Sequence, residues 1–88
     1  MVTFDDRVEA CRAALEAAAR EAGMYLSGDG RVSEQDAARL LGLSAGHLKR
    51  LRQDGAGPVA YLVGMNGCRL SYRTQDLAAW VELGREQF

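Results

Sequence analysis

The stretch Ser33–Gln53, SEQDAARLLGLSAGHLKRLRQ, constrains this 88-residue chain more than any other. Ser33 stands where a helix needs an N-cap, with Asp36 three residues on in the spacing of a capping box. Ala37, Ala38 and Leu41 follow at helical spacing, and Gly42 sits where the chain must turn left-handed to leave the helix. Leu43 supplies an apolar plug, Ser44 caps a second helix, and Leu48 and Leu51 give that helix one buried stripe. Ala38 is small at the point where the first helix must let the second approach. Apolar spacing alone is common in helical proteins. The small Ala, the turn Gly and the capping Ser narrow the reading.

Two short helices joined by three or four residues including a Gly form the helix-turn-helix pattern. The plain alternative is a helical hairpin with no DNA role, and the distribution of charge bears on the choice. Net charge is −1, which taken alone argues against nucleic acid. Residues 1–30, however, carry Arg7, Arg12 and Arg20 against six carboxylates, a net −3. From Lys49 to Arg73, five cations face only Asp54, a net +4. A small chain with an acidic end and a basic patch has the charge layout of a nucleic-acid binder.

Other classes find little in the sequence. No apolar run approaches the length of a membrane span, and the N-terminus lacks the basic-then-apolar layout of a signal peptide. Cys11 and Cys68 lie far apart and form no CxxC, which points to a reducing cytoplasm rather than a disulfide framework. One His and two scattered Cys are too few for a zinc site, and no cofactor is expected. There is no nucleophile with a base partner, and Gly64-Met65-Asn66-Gly67 lacks the GxxxxGK[ST] pattern of a phosphate loop. The expectation is a protein without enzymatic activity.

Taken in order, Thr3 caps a first helix that runs to about Ala22, with Asp5 and Asp6 against the positive end of its dipole. Phe4, Val8, Cys11, Leu15, Ala18 and Ala22 line one apolar face. That face either packs on the domain that follows or, through Phe4, Val8, Cys11 and Leu15, docks on a second copy as a homodimer. Gly23 ends the helix, and Ser27–Gly30 is a turn. The expected division is therefore an N-terminal helix and turn, 1–30, and a domain from 31 to 88. Gly55 ends the second helix of the central stretch, and Gly57-Pro58 sets a sharp exit. Val59–Val63 and Cys68–Arg73 read as two strands joined by a turn with the Asn66-Gly67 hairpin signal. A last helix begins near Thr74, with Leu77, Trp80, Val81 and Gly84 expected to face inward. The fold class is mainly α with a small β-hairpin.

From about Val32 to Glu82 the chain resembles the excisionase and MerR-type winged helix-turn-helix family. The carrying segments are VSEQDAARLLGLS, HLKRLRQDG, the GP pair, the hairpin and SYRTQDLAAWVE. The resemblance implies a winged helix-turn-helix preceded by an extra helix, with the second central helix in the major groove and the hairpin against the backbone or minor groove. Carried over by position, Ser44, Ala45, Gly46, Lys49, Arg50 and Gln53 point at DNA, and Asn66 to Arg69 with Arg73 fall on or near the wing. Two departures stand out: small excisionases are basic overall, and the acidic first helix is an addition to the family core.

The residue chemistry agrees with those positions. Arg50 suits guanine O6 and N7, and Gln53 suits adenine N6 and N7. Lys49, Arg52, Arg69 and Arg73 suit phosphate. Ala45 and Gly46 leave the helix N-terminus open to a close phosphate, and His47 is either a further phosphate contact or a solvated helix residue. The expected function is sequence-specific binding of double-stranded DNA, as an excision factor with a recombinase partner or as a transcription regulator. The alternatives are the DNA-recognition subunit of a phage packaging terminase, or an adaptor that kept the fold and binds protein.

Overall fold

The computed structural model describes residues 1–63 and 69–85, with the backbone alone at Val63 and Arg69. The elements are α1 (Phe4–Glu21), β1 (Arg31–Ser33), α2 (Glu34–Leu41), α3 (Ala45–Gln53), β2 (Tyr61–Val63), β3 (Arg69–Arg73) and α4 (Thr74–Leu83). The chain is thus mainly helical, with a small antiparallel sheet.

Local signals account for most of the helix boundaries. Thr3 and Asp6 form a reciprocal capping box at the start of α1, each side chain accepting the other's backbone N–H at 3.1 Å. The Ser33 hydroxyl accepts the Asp36 N–H at 3.1 Å, and the Ser44 hydroxyl accepts the His47 N–H at 3.0 Å. Between α2 and α3, Gly42 adopts φ 74°, and the Leu43 N–H reaches back to the Ala38 carbonyl at 2.8 Å. This left-handed exit satisfies carbonyls at the end of α2 that would otherwise be orphaned. Only three residues then separate the two helices, so they must cross closely.

The sheet has three strands rather than the two of the expected hairpin, in the order β1-β3-β2. The extra strand comes from residues read as a loop and helix entry. The 27–30 turn reverses the chain: the Ser27 N–H donates to the Arg31 carbonyl at 2.9 Å, and Gly30 takes φ 79°. Val32 can then pair with Tyr72, and both are buried. A third strand relieves the marginal stability of an isolated hairpin. On the hairpin side, Leu62 pairs with Leu70 and remains 67% exposed, so that end reaches beyond the core. The Gly64–Gly67 turn lies outside the described residues.

Val32, Ala37, Ala38, Leu48, Tyr72 and Leu77 form the buried core, with Leu15, Leu26, Leu40, Leu41, Leu43 and Ala60 packed around it. One polar group closes its edge. The Glu34 carboxylate, at the first turn of α2, accepts Arg52 Nε from α3 at 2.8 Å and the Tyr72 hydroxyl from β3 at 2.6 Å. Three elements are therefore tied at one oxygen, Oε2.

α1 runs antiparallel to α4, because Arg7 pairs with Glu82 at 3.2 Å while Glu16 accepts the Thr74 hydroxyl at 2.7 Å. Val8, Cys11 and Leu15 are half-buried within the chain, and Ala19 is fully buried. Of the expected apolar stripe, Ala18 and Ala22 are exposed, and Phe4 is 37% exposed. The inward face of α4 also differs from expectation. Thr74, Leu77 and Ala78 are buried, whereas Val81 and Gly84 are exposed. Trp80 is half-buried, its indole N–H donating to the Ala56 carbonyl at 3.0 Å beyond the end of α3. The α1 crossing pulls α4 round toward residues 74–78, and Trp80 becomes a clasp instead of a core residue.

Two predictions follow from this packing. Leu48→Ala should lower stability by about 2–5 kcal/mol by leaving a cavity, whereas Gly42→Ala should cost about 1–2 kcal/mol, purely from backbone conformation. An added Cβ at Gly42 meets nothing within 4 Å. Urea unfolding midpoints at unchanged slope check both values.

The second prediction concerns acid. Glu16 is held below its ordinary 4.5 by the Thr74 hydrogen bond, which with Arg12 outweighs burial. At Glu34, burial pushes the pKa upward, but Arg52 and Tyr72 together bring it below 4.5. Lowered carboxyls bind protons more weakly in the folded chain than in the unfolded one. Their contribution is complete above 4.5 and is lost as pH falls through the lowered folded values. Urea midpoints should therefore fall as pH drops below about 5, and Glu16→Gln should shrink that drop.

Candidate nucleic-acid interface

α3 has two contrasting sides. Leu48 is fully buried and Leu51 half-buried against the rest of the chain. Gly46, Lys49, Arg50 and Gln53 fall together on the opposite arc at spacings of three and four, and all four are exposed. Lys49 and Arg50 have no ion-pair partner among the described residues. A bare arc carrying two cations and one amide is suited to an anionic, hydrogen-bonding surface.

The N-terminus of the same helix is open. Ser44, Ala45, Gly46 and His47 are all exposed, and the Ser44 hydroxyl accepts the His47 N–H. A Cβ built at Gly46 meets nothing within 4 Å, so a ligand has room to approach the backbone there. First-turn N–H groups and the positive end of the helix dipole favour an anion at such a place.

Two other cations from the sequence reading are differently employed. Arg52 lies one helical turn beyond Leu48, on the packed flank of α3, and its guanidinium is held by Glu34. Its side chain is 27% exposed, and the ion pair it makes lies within the chain. The reason is steric and electrostatic: α2 brings a carboxylate to the edge where Arg52 emerges. Arg73 sits at the end of β3 remote from Arg69, with Nη2 3.7 Å from Asp29. Its guanidinium carbon lies 5.1 Å from the centre of the Tyr61 ring, whose hydroxyl donates to Asp76 at 3.1 Å. Arg31 joins the same network, donating to Asp29 at 2.8 Å and to Ser71 at 2.9 Å.

Asn66 lies outside the described residues, as does the Arg69 side chain; the Arg69 backbone pairs with Val63 in the β2–β3 register. Among the expected contacts, then, the fold collects Ser44, Ala45, Gly46, Lys49, Arg50 and Gln53 on one exposed surface, with His47 beside it. Arg52 and Arg73 are drawn into ion pairs elsewhere.

Sequence reasoning missed Glu34 and Tyr72, the two residues that orient α3 against the sheet. Neither carries a local signal, since their partner lies 18 residues from one and 20 from the other. A polar cleft of about 340 Å³ beside Arg12, Asp29, Arg73 and Thr74 was also unforeseen. Its arginines are matched by Glu16 and Asp29, the latter carboxyl drawn down to about 2 by the Ser27 hydroxyl and Arg31. The cleft is thereby charge-compensated from within.

No helix among the described residues is long and apolar enough to cross a membrane, and no three metal-binding side chains converge there. No known family model matches this chain, and no curated protein or solved structure matches it.

Proposed function

We propose that this protein binds double-stranded DNA by placing α3 in the major groove, in the manner of a winged helix-turn-helix. The observation that carries the reading is the exposed arc of Lys49, Arg50 and Gln53 on a helix whose other side is locked into the core. A rigid helix presenting long polar side chains in one direction meets the requirement of base readout. Arg50 pairs with guanine O6 and N7, Gln53 with adenine N6 and N7, and Lys49 with phosphate. The open first turn at Ala45 and Gly46 receives a second phosphate. The β2–β3 pair, with Leu62 exposed, acts as the wing.

The negative overall charge does not oppose this arrangement. The carboxylates of α1 lie on a helix packed against α4, and two of them, Glu9 and Glu16, are paired with Arg12, while Glu82 of α4 pairs with Arg7. Local field at the contact surface governs encounter with DNA more than net charge does.

A second reading, a protein-binding adaptor, draws support from the apolar end where Met1, Val2, Phe4, Val81 and Leu83 are exposed. Salt dependence separates the two. With about two or three phosphate contacts, a log–log plot of duplex affinity against salt should have a slope of about −2 to −3. Absence of duplex binding at low salt would leave the adaptor as the better account.

Readout and phosphate contacts should also separate by mutation. Arg50→Ala and Gln53→Ala should each erode discrimination between target and scrambled duplex by about 1–3 kcal/mol, while Lys49→Ala weakens both duplexes alike. Competition binding against both duplexes is the measurement. Loss of discrimination in Lys49→Ala alone would reverse the assignment.

A further inference from the structure

We infer that Glu34, with Tyr72, holds Arg52 off the DNA and so acts as a positioning residue that limits sequence-blind binding by α3. The inference rests on the DNA reading and deepens it.

The geometry makes Arg52 a border residue. It stands four residues after buried Leu48 and three after exposed Lys49, where the packed flank of α3 meets the exposed arc. An unpaired arginine at that border has enough stem to swing toward solvent and join Lys49 against phosphate. Glu34 prevents this. Its Oε2 receives Arg52 Nε at 2.8 Å, and Oε1 receives Nη2 at 3.4 Å, a two-point grip that a single rotamer satisfies. Tyr72 donates to the same Oε2 at 2.6 Å and is itself fully buried, so the carboxylate has little freedom to follow the guanidinium outward. The Glu34 side chain is 18% exposed, so the grip sits at the edge of the core beside α3.

Holding one cation back has a consequence for selectivity. Each phosphate contact strengthens binding to every duplex equally, whereas contacts from Arg50 and Gln53 distinguish sequences. Withdrawing Arg52 from the phosphates lowers the common background and leaves the readout residues to set the preference. The same grip orients α3 against β3, so the direction of Arg50 and Gln53 depends on it as well.

The salt slope distinguishes this role from simple scaffolding. Glu34→Gln keeps an acceptor for Tyr72 but loosens Arg52. With a random-sequence duplex, this variant should bind several-fold more tightly at low salt, with a log–log slope steeper by about 0.9, one added phosphate. Its ratio of target to random affinity should fall. Arg52→Met, which preserves the stem packing, should leave the native slope unchanged, and the Glu34→Gln/Arg52→Met double variant should restore it.

A slope shallower by about 0.9 in Arg52→Met would mean that Arg52 already touches phosphate and would overturn the inference. Uniformly weaker binding by folded Glu34→Gln at the native slope would do the same. Should Glu34→Gln fail to fold, Tyr72→Phe, which removes the hydroxyl that anchors the Glu34 carboxylate, should steepen the slope in the same direction, and an unchanged slope there overturns the inference. A native chain with no salt-dependent duplex binding would instead overturn the DNA reading, and this inference with it.

Discussion

The carboxylate of Glu34 is the interaction on which the arrangement of this small chain depends. It stands at the first turn of α2, and it draws a guanidinium from the last turn of α3 and a phenol from β3 to a single oxygen. A half-buried carboxylate is costly unless its lone pairs are filled. Here they are filled from two directions, and α2, α3 and β3 cannot move independently without exposing an unpaired charge. The same contacts shift both partners: burial, reinforced by the Glu34 hydrogen bond, raises the Tyr72 phenol to about 12. A chain of 88 residues has little apolar area to spare for a core, so a directional polar tie supplies orientation that packing alone would leave loose.

A second tie does the same for the acidic N-terminal helix. Glu16 accepts from the Thr74 hydroxyl and from Arg12, and the Thr74 N–H donates to the Gly30 carbonyl at 2.9 Å. The start of α4, the 27–30 turn and the middle of α1 therefore meet at one point. α1 is bound into the fold along α4, and Val8, Cys11 and Leu15 are half-buried there within a single chain. With α1 so fixed, α4 turns Thr74, Leu77 and Ala78 inward, and Trp80 reaches the Ala56 carbonyl to pin the segment that leaves α3. Both ends of α3 are thus constrained: Leu43 at the turn before it and Trp80 at the exit after it.

What was legible in the sequence was what short-range geometry decides. Ser33 and Ser44 cap helices because a hydroxyl can reach an N–H three residues on in any chain. Gly42 and Gly55 stop helices because each occupies a left-handed conformation, at φ 74° and φ 70°. The exposure of Lys49, Arg50 and Gln53 follows from the burial of Leu48 by helical spacing alone. Strand β1 was illegible for the opposite reason. Arg-Val-Ser has no strand periodicity of its own, and it extends only because Tyr72 of β3 offers a buried partner to Val32.

The sequence by itself determined four helices, the caps of α1, α2 and α3, and the residues that α3 leaves exposed, because each rests on contacts within a few positions. Only the tertiary structure decided which cations remain available. Arg52 and Arg50 are alike in composition and two residues apart, yet one is clamped by Glu34 and the other has no ion pair among the described residues. Arg73 is likewise spent on Asp29 and the Tyr61 ring. A charge is free or paired according to what folding brings within about 4 Å of it, and the partner's place in the chain carries no trace of that distance.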